Sequence, residues 1–328
     1  MNDRHSYDHI EELARVALSA AGASDVAAGA IATATCQAEG RGNRAVGVGH
    51  LFDYLESMRA GRMDGRAEPL VRRVGDSVTV ADARAGAAQV AFDAAYDSFA
   101  DSVRGTGLGF LSVTSAFTVG ELGQYVRRAV GDGFFALAGA NSPALMSFAG
   151  SSVPLIGTNP LSFGCPVAGR PALIVDQASS QTAYVNIRSA AATGTEIPEG
   201  WAVDSDGRAT TDPTAALDGA LLPFGGYKGG NIALLVELLS VVAGSNWSSD
   251  APAFDHGEAS PGVGMFVLAL DVGRFDSSLP DRVAAHFDHL ASLQGVDVKI
   301  FEDRTVERAD IELDDAMYER LRAESVRR

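Results

Sequence analysis

The sequence has few of the residues that staple small secreted folds or build metal sites. Its 328 residues include two cysteines, Cys36 and Cys165, far apart and in unlike contexts. Without a CxxC pair or a multi-cysteine framework, a disulfide scaffold is excluded and a reduced, cytoplasmic protein is the simplest reading. No HExxH segment or paired-cysteine set offers a zinc site, and no serine sits in a GxSxG elbow. No apolar run approaches the ~20 residues of a membrane helix. The opening MNDRHSYDHIEELARV is too polar for a signal peptide. Positive charge is scarce as well: 26 Lys and Arg stand against 42 Asp and Glu, a formal charge of −16. That balance opposes nucleic acid and anionic membranes, but it permits a local positive pocket for a small anion. Lysine is scarcest, since Lys228 and Lys299 are the only two.

What is present centres on Leu221–Leu239, LLPFGGYKGGNIALLVELL. A glycine-rich turn delivers Lys228 just ahead of an apolar helix. Glycines let backbone N–H groups approach a ligand closely. The helix start adds unpaired donors and the positive end of its dipole. Together with one lysine, these make a seat for a phosphate or carboxylate. The turn lacks the GxxxxGK[ST] spacing, so an NTPase loop is excluded.

The length predicts two packed domains. Residues 7–40 read as two helices, with Ser24 capping the second. His50 begins a third, whose one face carries Leu51, Tyr54, Leu55 and Met58. Residues 68–84 alternate as a strand pair, and 87–103 is an alanine-rich helix. Buried strands are expected at 110–116, 134–140, 172–176 and 265–272, with a helix between 120 and 130. GTNPLSFGCP (157–166) contains an Asn-Pro turn. In AYVN, strand geometry would put Tyr184 and Asn186 on one face. VDSDGR (203–208) lacks the glutamate a calcium loop needs, because Ala215 stands at its twelfth position; it reads as a turn. Helix 231–243 carries one acid, Glu237, expected at the helix edge. His286 and His289 are expected on a solvated helix face. GTGLGF (105–110) precedes a strand instead of following one into a helix, so a Rossmann fingerprint fails on context. With no metal or nucleophile constellation, chemistry carried by an organic cofactor is favoured.

Four segments, in order, resemble the type 2 malate/L-lactate dehydrogenase family, which includes sulfolactate dehydrogenase, ureidoglycolate dehydrogenase and the Δ1-piperideine/Δ1-pyrroline-2-carboxylate reductases. They are AEGRGNRAVGVGHLFDYL (38–55), LIGTNPLSFGCP (155–166), VDQASS through PTAAL (175–217) and LLPFGGYKGGNIALLVELL (221–239). The resemblance implies an α/β fold of the α+β kind. A non-Rossmann, mixed or antiparallel NAD(P)-binding sheet domain (71–274) would sit beside a helical domain built from both chain ends (1–70 and 275–328). It also implies a homodimer with the site near the subunit boundary. The implied activity is hydride transfer to or from the α-carbon of a small α-carboxylate, either a 2-oxo/2-hydroxy acid or a cyclic 2-imino acid. The alternative is an inactive paralogue that binds a dinucleotide or metabolite.

Carried over residue by residue, the resemblance departs at the proton-handling positions. The family's Ser-His-Gly motif is Ala45-Val46-Gly47 here, and His50 occupies the seat of its substrate-gripping arginine. The aspartate of the imine reductases' Ser-His-Asp relay is Asn186, with Tyr184 two residues before it. His50, Tyr184 and Asn186 are therefore the expected catalytic residues, and His50, Tyr54 and Thr158 the expected substrate contacts. An unperturbed histidine, pKa ~6.5, suits both proton transfer and carboxylate binding. A cyclic imine that binds already protonated would tolerate the lost relay, which favours the imino acids. The cofactor side is kept: Thr118, Gly120, Glu121, Asp176, Gln177, Ala178 and Lys228, with Glu302 and Arg304 in the C-terminal turn. Glu302 would repel a 2′-phosphate, so among NADH and NADPH the reading leans to NADH.

Overall fold

A computed structural model describes residues 2–303 and 310–327. The helical core begins with α1 (Tyr7–Ala20) and α2 (Asp25–Gly40), each opened by a serine whose hydroxyl takes an N–H of the first turn. With α3 (Val48–Arg59) they bury Ile10, Leu18, Ile31, Leu51 and Tyr54 in one cluster. The other chain end joins it: Ile311 and Leu313 of β14 (Ile311–Asp314) and Leu321 of α11 (Asp315–Ser325) lie in the same core. β14 also pairs antiparallel with β1 (Asn2–His5).

The main sheet has seven strands in the order β2 (Leu70–Arg73), β3 (Val78–Asp82), β4 (Leu108–Ala116), β13 (Val263–Asp271), β5 (Phe134–Ala140), β8 (Leu161–Cys165) and β9 (Leu173–Gln177). Only β3 and β4 run parallel among these pairs; the rest are antiparallel. This is the mixed, non-Rossmann sheet expected. The GTGLGF run ends α4 (Ala88–Thr106): Gly107 is its left-handed cap at φ 89°. Met265, Val267 and Ala269 face α4 and α5 (Gly123–Gly131) in one core, and Phe266 points the other way, as the strand period requires. On that opposite face α8 (Tyr227–Val241) packs close to the sheet. A Cβ on Gly139 would lie 2.5 Å from Phe266 and 3.0 Å from Val236.

A smaller sheet, in the order β11 (Ala209–Thr210), β10 (Ala202–Val203), β12 (Ala220–Leu221), β6 (Met146–Ser147), β7 (Pro154–Ile156), has its own core. It supports α6 (Tyr184–Thr193) and the single turn α7 (Pro213–Leu217). Beyond β13, a short α9 (Val272–Phe275) leads into α10 (Leu279–Ala291). α10 lies against the β8–β9 connection, where Ala168 N–H donates to Pro280 and Arg170 pairs with Asp288 at 2.5 Å.

Two expectations fail locally. The AYVN stretch is the first turn of α6 and not a strand. Ala183 is extended as the N-cap, Asn186 bonds back to Thr182 Oγ1 at 2.9 Å, and the alanine-rich run that follows favours helix. Tyr184 and Asn186 therefore point to different sides. Glu237, expected at a helix edge, is 4% exposed because α8 is covered by both the sheet and the 246–248 loop.

Candidate active site

The sequence brings His50 into place through Glu39. α3 has no side-chain cap of its own at Gly47. The Glu39 carboxylate, on a side chain 7% exposed, accepts the Val48 N–H at 2.9 Å and serves that end from a distance. Burial pushes this carboxyl above its ordinary range, against the pull of that N–H and of Arg44. A side chain at Gly47 would collide with it. One turn into α3, His50 Nδ1 lies 2.9 Å from Asp53 Oδ2, and His50 Nε2 lies 3.4 Å from Thr118 Oγ1. Thr118 donates to the Tyr54 hydroxyl at 2.9 Å, and Gln89 Nε2 donates to the same oxygen at 3.2 Å. Burial holds the Tyr54 phenol above its usual pKa, so it stays neutral.

Asp53 is the charged member of this row. Burial alone would raise its pKa, but His50, Arg188 and Arg320 together outweigh that and hold it below the usual carboxylate value. The pair is thus an ionised carboxylate orienting an imidazole, the arrangement that fixes which ring nitrogen faces outward. Arg188, on α6, approaches Asp53 Oδ1 to 3.9 Å. Tyr184, one helical turn earlier, is half-buried; burial and the charge of Asp255 raise its pKa, and Arg188 opposes them.

The segments expected on the cofactor side are laced together by backbone groups. Gly123 N–H, at the start of α5, donates to Asp176 Oδ2 at 2.7 Å. Burial lifts the Asp176 carboxyl to about 6, against the Gly123 bond, with Glu121 adding to the rise and Arg127 opposing it. Further along the same segment, Ser179 N–H donates to Thr158 and its hydroxyl to the Asn159 carbonyl, each at 2.8 Å. Phe224 N–H donates to Ser179 at 3.1 Å, which places the GGYKGG turn alongside. Asn159 is fully buried and donates to Ala233 O at 3.0 Å and Glu237 Oε2 at 2.6 Å. Glu237 also accepts the Ser248 N–H and hydroxyl, both at 2.6 Å.

The residues present fit the diphosphate of a dinucleotide. Gly225 and Gly226 adopt φ of 57° and 65°, with nothing within 4 Å of where a Cβ would stand. They leave an open cradle at the N-terminus of α8. Lys228 is exposed there and makes no ion pair among the described residues. Backbone donors, a helix start and a free ammonium are the donor set a diphosphate requires.

Several expected residues take other places. Tyr54 is 0% exposed and lies behind Thr118, whose hydroxyl bonds to it. Glu121 is buried between Arg41 Nη1 at 2.8 Å and Arg127 Nη1 at 3.0 Å, which makes it a brace. Arg127 continues to Asp303 at 2.6 Å. Asn186 is exposed and turned toward Thr182. Gln177 is exposed and Ala178 half-buried, next to the Asp176 carboxylate. Gly120 has φ 65° on the turn between Thr118 and α5. Glu302 bridges to Leu173 at the start of β9, and Arg304 lies outside the described residues. Sequence reasoning missed Asp53 and Arg188. The i,i+3 spacing of His50 and Asp53 on a helix was the available signal for the first; nothing local marked the second. His286 and His289 are exposed, and no metal-holding cluster exists among the described residues. A cavity lined by Arg4, Glu39, Arg44 and Glu312 contains none of the expected site residues.

The whole chain superposes on Δ1-piperideine-2-carboxylate reductase from Pseudomonas syringae with a TM-score of 0.91, 30% identity, and 98% and 99% of the two chains covered. Malate dehydrogenase from Pyrococcus horikoshii shares the fold at TM-score 0.84 and 21% identity, over 99% and 95%. The mixed sheet and these likenesses define the class, a nicotinamide-dependent oxidoreductase of small α-carboxylates outside the Rossmann class. By sequence the chain is 34% identical to (2R)-3-sulfolactate dehydrogenase (NADP(+)) of Chromohalobacter salexigens, over 97% of both proteins. It is 36% identical to Δ1-pyrroline-2-carboxylate reductase of Pseudomonas fluorescens, over 81% and 80%. The chain belongs to the malate/L-lactate dehydrogenase family, whose model matches residues 5–321.

Proposed function

We propose that the protein is an NADPH-dependent reductase of small cyclic 2-imino acids. The observation that carries this reading is the ionised Asp53, held beside His50 where the family's relay is missing. A protonated cyclic imine brings a cation to the site, and a carboxylate of depressed pKa is its natural counter-charge. The P. fluorescens relative, a Δ1-pyrroline-2-carboxylate reductase, supports the same class.

Lys228, the N–H groups opening α8, Asp176 and the turn at Gly120 would hold the cofactor. A bound reduced nicotinamide supplies the hydride. Asp53 orients His50 through Nδ1 and balances the substrate's positive charge; Thr118 fixes the far side of the ring. Because the imine arrives protonated, hydride addition yields a neutral amine without a proton donor in that step. The lean to NADH is not supported. The sulfolactate relative is named for NADP(+), and Arg170 within 3.9 Å of Glu302 offsets the repulsion on which that lean rested.

A second reading is reduction of a 2-oxo acid, favoured by the near-complete match to the sulfolactate enzyme. There His50 would have to protonate the alkoxide, a task worth ~10²–10⁴-fold. NADPH oxidation with Δ1-pyrroline- and Δ1-piperideine-2-carboxylate should exceed that with pyruvate, oxaloacetate, 2-oxoglutarate or sulfopyruvate. Equal or faster turnover of the oxo acids sinks the imine reading, and NADPH binding with no turnover of any would point to an inactive paralogue. Lys228→Ala should weaken NADPH binding at least ~tenfold, as expected for loss of one charge-assisted phosphate contact.

The working unit we propose is a homodimer in a reducing, cytoplasmic setting. α8 and its C-cap present Leu234, Leu235, Leu238 and Val242, 37–64% exposed, with Trp247 at 46% a few residues on. A row of that kind supports an apolar interface. Light scattering should give the dimer mass for the protein and the monomer mass for Leu235→Asp/Leu238→Asp. No helix among the described residues is long and apolar enough to cross a membrane, and both cysteines are free and buried.

A further inference from the structure

The resemblance puts His50 in the seat of a carboxylate-gripping arginine, yet both nitrogens of His50 are already engaged, by Asp53 and Thr118. A carboxylate bound there without a cation would face Asp53 directly. The other arginines near the site are committed. Arg41 and Arg127 clamp Glu121, and Arg127 also holds Asp303. Arg62 is 4% exposed and bonded to Ser57 and Gly257. Arg320 stacks over the Phe52 ring at 3.7 Å.

Arg188 differs from all of these. It stands on α6, four residues after Tyr184, so the two share a face. Its guanidinium reaches Asp53 only to 3.9 Å, makes no hydrogen bond among the described residues, and is 43% exposed. Ile187, its neighbour, is fully buried and pins the helix to the small-sheet core. The guanidinium is therefore held near the His50–Asp53 pair by a packed helix, with its five donors unspent.

We infer that Arg188 is the residue that takes the substrate's carboxylate in this chain, supplied by α6 in place of the arginine missing from α3. The inference rests on the small α-carboxylate reading above. Guanidinium and carboxylate meet in a planar fork. Asp53 between Arg188 and His50 then lies toward the substrate nitrogen, so the site reads a carboxylate on one side and a cationic nitrogen on the other.

The test uses the NADPH-loaded protein and two probes that cannot be reduced, pyrrole-2-carboxylate and its carboxamide, which lacks the charge. Calorimetry gives Kd for the parent protein, Arg188→Gln and Arg188→Lys. Arg188→Gln should bind the carboxylate at least ~tenfold more weakly, as expected for a hydrogen-bonded charge pair. It should bind the carboxamide and NADPH as the parent does. Arg188→Lys should fall between, because it keeps the charge and loses the fork. Unchanged carboxylate affinity in Arg188→Gln overturns the inference, as does equal loss for both probes or failure of the parent to bind the carboxylate. If that pattern of affinities appears while no imino acid is turned over, the clamp stands and the proposed reaction falls.

Discussion

Asp176→Asn tests whether a carboxylate proposed to hold the cofactor is kept at the expense of stability. The Asp176 carboxyl is raised from the ordinary ~3.9 to about 6, chiefly by burial. At ~1.4 kcal/mol per pH unit, the ionised form costs the fold ~3 kcal/mol. The sign follows from proton binding. Between pH ~4 and ~6 the folded protein holds the proton and the unfolded chain has released it, so stability falls as pH rises through this window and levels off above it. Asparagine can still accept the Gly123 N–H, now at 2.7 Å, but its amide protons need a partner, which takes back ~1 kcal/mol. The variant should therefore be ~1–3 kcal/mol more stable at pH 8, and this advantage should shrink by ~2 kcal/mol at pH 4.5. Urea midpoints at the two pH values measure both numbers. NADPH affinity, followed by fluorescence, should weaken in the same variant, the usual exchange between stability and function. A variant no more stable at pH 8, or one whose advantage is the same at both pH values, would refute the reasoning.

His50→Ala should lower turnover at least ~tenfold and Asp53→Asn by a similar factor, and the double variant should lose little more, since the two act as one unit; fully additive losses in kcat/KM would separate them. Asn159→Ala removes a donor from the buried Glu237 carboxylate. It should cost ~2–4 kcal/mol in urea unfolding, and Asn159→Asp should cost more by replacing the amide donor with a second carboxyl group; an Asp variant as stable as the Ala one would refute this.

The helices of the N-terminal third were legible because their apolar residues recur at helical spacing and Ser24 caps where expected. The strand at 134–140 was legible for a related reason: a short apolar run bounded by glycine has little alternative to a buried strand. Lys228 and the GTNP turn stood out because glycine and Asn-Pro constrain backbone directly. Tyr184 was misread because four residues of AYVN carry no period, and the capping geometry that starts α6 involves Thr182 and the run beyond. Glu237 was misread because a lone acid on an apolar helix looks the same at an edge as it does inside, until Asn159 and Ser248 are brought to it.

By itself the sequence determined most of the elements, the glycine-rich turn that carries Lys228 and the family, since these rest on spacing within short windows. Tertiary structure alone decided which groups meet. His50 lies against Thr118 across 68 residues, and Arg188 reaches Asp53 from a separate helix. Such contacts depend on how sheets and helices pack, and local propensity carries no record of that.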